Sequence, residues 1–344
     1  MNAIDPTTRF LIIRLSSIGD IVLTTPLIRC LKQHYPNSQI DFVVKAKYAE
    51  LLQHHPALHD IYRFPDHGGL SALWDARAWV KAREYACILD LHKNIRSLLL
   101  TRALGGTTVL RFKKFGYRRF LLVKFGINLY RRIVPVYQRY LEAAADLGVE
   151  DDGRGTELFV PRSVVEGLLS RLQLYGIETK KIVAFAPGAG YFTKRWPVDY
   201  FVILARQAIE AGYTPVILGD RQDVPVARAI CEQAPGAVHF AGKLSLLESA
   251  ALLQLASLLI CNDTGQMHMA EAVGTPVVAL FGSTVEEFGF FPVLENSVVV
   301  ENRDISCRPC SHVGRNTCPE GHFLCMRSLL PEQVWQAALT ILNQ

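Results

Sequence analysis

Short apolar runs alternate with longer segments whose apolar residues recur at helical spacing along most of this chain, and no other feature narrows its fold as much. Phe10–Leu15 reads as a buried strand, Gly19–Tyr35 as a helix and Ile40–Val44 as a second strand. Ser71–Tyr85 reads as a helix, Cys87–Leu91 as a strand, Asn94–Leu104 as a helix and Val109–Phe112 as a strand. Runs that are apolar throughout suit strands covered on both faces, and strands alternating with helices build parallel βαβ units. The rhythm breaks at Glu150–Gly155, where four charges and two glycines in six residues have the composition of a surface linker. A helical segment at Ser163–Tyr175 follows, and then the alternation restarts. Strands are expected at Ile182–Ala186, Thr214–Leu218, Leu258–Asn262 and Pro276–Phe281, with helices at Val198–Ala211, Val224–Gln233, Leu246–Leu255 and Gln266–Val273.

A chain of 344 residues exceeds what one core holds, since single cores stop growing near ~250–300 residues. The pattern therefore predicts an α/β protein of two doubly wound domains, residues 1–160 and 161–330, with a last helix in 331–344. Two such halves leave a cleft between them, and ligands of such folds sit at the carboxyl ends of the strands.

Half the residues are hydrophobic and 20% are charged, the balance of a folded chain and not a disordered one. No apolar run reaches the ~18–20 residues a membrane span needs. Met1–Arg9 lacks the basic-then-apolar order of a signal peptide, so the expected compartment is the cytoplasm. Net charge is only +5, but its distribution is uneven. Between Leu91 and Leu141 there are twelve lysines and arginines and no acid, which leaves the rest of the chain net negative. Such a field draws phosphate-rich partners. The cations interleave with Phe112, Phe115, Tyr117, Phe120 and Phe125, a surface suited to a membrane or a phosphorylated glycolipid, or simply a solvated basic face. No DNA- or RNA-binding motif accompanies the charge, so nucleic acid is not an expected partner.

Three segments join a strand to a helix and carry the candidate chemistry. In Ser16-Ser17-Ile18-Gly19-Asp20, Asp20 falls in a first helical turn at the carboxyl edge of the sheet. A carboxylate there can take a proton from an incoming hydroxyl. It can equally serve only to complement the helix dipole. In Pro187-Gly188-Ala189-Gly190, glycines let backbone N–H groups approach an anion, and Lys194 and Arg195 add positive charge on the same loop. Thr193 stands where the dinucleotide fingerprint has its last glycine, and a plain strand–helix connection reads similarly. In Asn262-Asp263-Thr264-Gly265-Gln266-Met267-His268, a helix start and the Thr264 hydroxyl can bind phosphate, with His268 at the same mouth. The competing reading is a capping residue beside a covered histidine.

A fourth segment holds Cys307, Cys310, Cys318 and Cys325, with His312 and His322 between them. The C-x-x-C pair suits a structural zinc or iron, while the wide spacing from Cys318 to Cys325 suits reduced thiols on a loop. The zinc-protease H-E-x-x-H, the hydrolase G-x-S-x-G and an EF-hand loop are absent.

Taken in this order, S-S-I-G-D, P-G-A-G-Y-F-T-K-R-W-P and N-D-T-G-Q-M-H-M-A-E-A-V-G-T-P-V-V-A-L-F-G resemble glycosyltransferase family 9, the family of the lipopolysaccharide heptosyltransferases, over about Phe10–Phe281. The resemblance implies a GT-B fold of two facing Rossmann-like domains, the N-terminal one taking the acceptor and the C-terminal one the nucleotide sugar. It implies inverting, metal-independent transfer from ADP-heptose to a phosphorylated glycolipid, the lipopolysaccharide inner core, at the inner-membrane surface. Asp20 then matches the general base, and Lys194 the lysine on the donor phosphates. Asp263, Thr264 and Gly265 match the donor loop, with His268 beside it, Gly188 in the glycine turn and Asp223 as the acid for the ribose. Lys93 and Arg96 are candidates to hold an anionic group of the acceptor. Alternatives at this stage are another sugar or acceptor, a sugar-nucleotide epimerase, or a nucleotide-sugar-binding scaffold without turnover.

Overall fold

The computed structural model describes residues 8–102 and 106–343. Met1–Thr7, most of the segment read for a signal peptide, and Leu104, the expected end of one helix, lie outside the described residues.

Two parallel sheets organise the chain. The first contains β1 (Arg9–Ile13), β2 (Gln39–Lys45), β3 (Asp60–Phe64), β4 (Cys87–Asp90) and β5 (Thr108–Arg111), in the order β3-β2-β1-β4-β5. The second contains β6 (Ile182–Ala186), β7 (Thr214–Ile217), β8 (Val238–His239), β9 (Leu258–Asn262), β10 (Val277–Phe281) and β11 (Val298–Glu301), in the order β11-β10-β9-β6-β7-β8. All pairings are parallel. In each sheet the chain winds outward from its first strand, then returns to that strand's other side. This is the doubly wound Rossmann order, and it creates a switch point where ligands bind. The switch points lie between β1 and β4, paired at Ile13↔Asp90, and between β6 and β9, paired at Ala186↔Cys261. β4, β6, β9 and β10 are buried at every residue, as strands covered on both faces must be.

The chain divides into two compact units. One runs from the start of the described chain to Lys114 and resumes at Val136–Phe159; the other comprises Phe115–Pro135 and everything from Val160 on. The first unit packs Leu11, Ile13, Leu15, Val43, Ile88 and Leu100 against the helix Leu70–Lys81. The second packs Val183, Phe185, Ile260, Val278 and Leu280 against Trp196, Phe201 and the helix Pro331–Leu342.

Several elements differ from the sequence reading. The helix expected over Gly19–Tyr35 is two helices, Ile18–Val22 and Thr25–His34. Pro26 lies in the first turn of the second, where its missing N–H costs nothing. β3, β8, β11 and the helix Gly116–Phe125 were not expected at all. Among the described residues, no helix is long and apolar enough to cross a membrane.

Candidate functional site

In the first unit, β1 leads directly to Asp20. Ser17 precedes the short helix and Asp20 is its third residue. The Ser17 N–H and hydroxyl both donate to Asp20 Oδ2 at 3.2 Å, closing a reciprocal cap. The other oxygen, Oδ1, receives Arg14 Nη2 at 2.7 Å and the Tyr140 hydroxyl at 3.2 Å. Arg14 ends the apolar run of β1, so its guanidinium is carried into the protein and must find acceptors. It also donates to the Leu91 carbonyl at 2.6 Å. Burial opposes its charge, but the carboxylates of Asp20 and Asp90 hold its pKa above the ordinary value. Burial pushes the Tyr140 hydroxyl far up, helped by Asp20, so it stays a phenol that donates.

Across the switch point, β4 ends in the fully buried Asp90. This carboxylate accepts from the N–H groups of His92 (3.1 Å) and Lys93 (2.8 Å), from the Ser97 hydroxyl (3.0 Å), and pairs with Arg111 at 3.3 Å. The turn it holds gives Lys93 a left-handed backbone, φ 48°. His92 lies in the field of Arg14, Lys114, Asp90 and Asp20; burial first, then the two cations, lowers its pKa to about 4. The ring is neutral at physiological pH, and its buried Nδ1 has no hydrogen-bond partner among the described residues.

In the second unit, the loops after β6 and β9 are tied together by one buried amide. Asn262 donates to the Pro187 carbonyl at 2.7 Å and accepts the Trp196 N–H at 3.0 Å. This brings Lys194 to Asp263, Nζ to Oδ2 at 2.6 Å, and the Thr284 hydroxyl donates to the same oxygen at 2.7 Å. Thr264 caps the helix Gly265–Ala272 without using its hydroxyl on that helix. A Cβ on Gly188 would stand 2.3 Å from the Asp223 carboxylate, so glycine here makes room for that acid. Asp223 accepts the Asp220 N–H at 3.0 Å, and burial, with Asp220 adding to it, raises its pKa.

The model of glycosyltransferase family 9 (heptosyltransferase) matches residues 74–322. The chain belongs to glycosyltransferase family 9. It is a glycosyltransferase of the GT-B fold class. It is 28% identical to lipopolysaccharide heptosyltransferase 1 of Pseudomonas aeruginosa, with 88% of this chain and 86% of that one covered. A family 9 glycosyl transferase structure from Veillonella parvula superposes with TM-score 0.82 at 25% identity, covering 98% of this chain and 97% of that one. The ADP-heptose lps heptosyltransferase II structure from E. coli superposes with TM-score 0.75 at 22% identity, covering 98% and 99%.

The structure places Asp20 after β1, Lys194 after β6 and Asp263 after β9. His268 does not open onto the mouth beside Thr264: it is 4% exposed, its Nδ1 lies 3.5 Å from Glu271 Oε2, and its ring faces Phe290. Glu271 in turn accepts the backbone N–H groups of Val293 and Leu294, so the pair sits inside the packing of the helix. Lys93 is exposed and its Nζ lies 3.4 Å from the Phe112 carbonyl, while Arg96 is exposed one turn on. Arg14, Tyr140, His92 and Asn262 had no functional reading in the sequence. Arg14 carried the one usable signal, a charge closing a buried strand.

The cysteine-rich segment braces the lysine loop. The Thr193 N–H donates to the Arg315 carbonyl at 3.1 Å, and the Arg315 N–H donates to the Thr193 hydroxyl at 2.8 Å. Phe192 stacks on Phe323 at 4.7 Å, and Gly314, at φ 115°, leaves space only for Tyr191. Arg308, inside the C-x-x-C, pairs with Glu301 at 2.7 Å and donates to the Thr284 carbonyl at 2.9 Å. The thiols of Cys307, Cys310, Cys318 and Cys325 lie in one another's field, and burial first raises the pKa of Cys307, Cys310 and Cys325. Cys307 Sγ approaches His322 at 3.9 Å. Among the described residues, no three histidine, cysteine or acidic side chains are placed to hold a metal ion.

Proposed function

We propose that this glycosyltransferase moves a heptose from ADP-heptose to the inner core of lipopolysaccharide, with inversion and without a metal ion, peripherally at the cytoplasmic face of the inner membrane. The observation that carries the reading is the pairing of chemistry with topology: a held carboxylate at one switch point, and a lysine beside a helix start at the other. Asp20 takes the proton of the acceptor hydroxyl as its oxygen attacks the anomeric carbon. The bond from that carbon to the diphosphate oxygen breaks, and ADP leaves with the electron pair. Lys194 exchanges Asp263 for the diphosphate and stabilises the growing charge, helped by the N–H groups at Thr264–Gln266. Asp223, against Gly188, receives the ribose hydroxyls. Lys93 and Arg96 hold an anionic group of the acceptor.

The test is calorimetric binding of ADP, UDP, GDP and CMP to the wild type and to Lys194→Ala. Preference for ADP, lost in the variant, supports the reading. Preference for UDP or GDP overturns the donor, and no nucleotide binding overturns the site.

A further inference from the structure

Residues 115–135 carry five cations, Arg118, Arg119, Lys124, Arg131 and Arg132, and no acid. They also present large apolar side chains to water: Tyr117 (71% exposed), Phe120, Phe125 (64%), Ile127, Leu129 and Ile133. A helix of a water-soluble surface turns its apolar side chains inward. Here the helix Gly116–Phe125 buries only Leu122. Phe120 and Phe125 meet edge-to-face at 5.9 Å, against each other on the surface. Gly126, at φ 67°, ends the helix and sends the chain into an irregular return that keeps Ile127 and Leu129 exposed. The segment is tethered to its own unit, with Asn128 donating to Glu287 at 2.7 Å.

We infer that residues 115–135 form a docking surface for an anionic lipid bilayer. Aromatic and aliphatic side chains enter the headgroup–acyl boundary, and the cations among them meet lipid phosphates. Charge argues against a second copy as the occupant, because a self-complementary contact would set this cationic patch against itself. The inference gives the membrane contact of the proposed function a location and rests on that reading only for which bilayer is met.

The experiment is co-sedimentation with vesicles of phosphatidylethanolamine and phosphatidylglycerol, and separately with phosphatidylcholine alone. The wild type partitions onto the anionic vesicles at least about tenfold better, and less so as salt rises. Phe120→Ser/Phe125→Ser and Lys124→Glu/Arg131→Glu each lose about tenfold of that partitioning. All these side chains are exposed, and unchanged circular dichroism and melting temperature show that the variants are folded. Wild type that ignores anionic vesicles, or a Phe120→Ser/Phe125→Ser variant that binds them as well as wild type, overturns the inference. So does a wild-type dimer, seen by light scattering, that this variant dissociates while no vesicles are bound. Failure of the wild type to bind ADP would sink the donor reading and leave the vesicle result standing.

Discussion

Asp20 and Lys194 occupy corresponding places, each just after the strand on which its sheet turns back, but their surroundings differ. Asp20 is enclosed by donors of its own unit: Arg14 and Tyr140 on one oxygen, Ser17 on the other. Among the described residues, Lys194 pairs with one acid, Asp263, which also takes the Thr284 hydroxyl. The carboxylate is held in one orientation before any substrate arrives. The lysine is held by an ion pair that, on the proposed reading, an incoming phosphate replaces. Fixed geometry suits proton transfer, which demands a set distance and direction. An exchangeable pair suits a group that must take a ligand's charge and give it up again.

The sharpest way to break this contrast is Asp20→Asn. The amide keeps the shape and loses the base, so transfer is expected to fall by roughly 10²–10⁴-fold, with ADP affinity unchanged by calorimetry. Because Arg14 would lose its charged partner, the melting temperature must be recorded alongside. Activity within a few-fold of wild type in a folded Asp20→Asn protein would remove Asp20 from the chemistry. On the other side, Lys194→Ala deletes a charge-assisted contact worth about 1.5–3 kcal/mol, so ADP is expected to bind roughly 10–100-fold more weakly. An unchanged affinity would mean that Lys194 serves only to neutralise Asp263.

Much of this frame was legible in the sequence, for reasons visible in particular elements. Ile182–Ala186 and Leu258–Asn262 are apolar throughout and lie in the middle of a covered sheet, so composition alone marked both ends correctly. β3 was not legible, because Asp60–Phe64 is only half-buried at the sheet's edge and reads as a mixed polar run. The helix Gly116–Phe125 escaped because its apolar residues do not line a core-facing stripe. The motifs placed Asp20, Lys194 and Asp263 correctly at strand ends. What surrounds them was invisible: Tyr140 reaches Asp20 across 120 positions, and Arg315 reaches Thr193 across 122. Such contacts depend on where whole elements pack, and no local pattern encodes them. The covered His268 shows the converse, since a helix start says nothing about which side chains lie beneath it.

The centre around Asp20 also answers acid. His92, beside Asp20, has a pKa lowered to about 4 from an ordinary value of 6.5, mainly by burial. As pH falls below 6.5, the unfolded chain takes up this proton while the native one does not until near pH 4. Stability contributed by the neutral ring is therefore full above the unfolded pKa and lost as pH drops towards 4. The loss is on the order of 2 kcal/mol near pH 4.5. Denaturant unfolding of wild type and His92→Gln between pH 7 and 4.5 measures it. The variant should show a flatter decline, and parallel curves would mean that the imidazole is more open to water than its packing indicates.

The smallest expected effect concerns the brace behind Lys194. Thr193→Val keeps the shape and leaves the Arg315 N–H without its acceptor, whereas Thr193→Ser retains the hydroxyl. If the clasp sets the lysine's position, Thr193→Val should weaken ADP about fivefold, equivalent to about 1 kcal/mol, and Thr193→Ser should return it to near the wild-type value. Donor KM should move with it while kcat changes little, since the clasp touches neither the acceptor nor the base. A Thr193→Val protein that melts earlier but binds ADP normally would make the clasp a fastening of the cysteine-rich segment alone. Lys194 would then be held by Asp263 without help from behind, and the contrast with Asp20, anchored by several groups at once, would be sharper still.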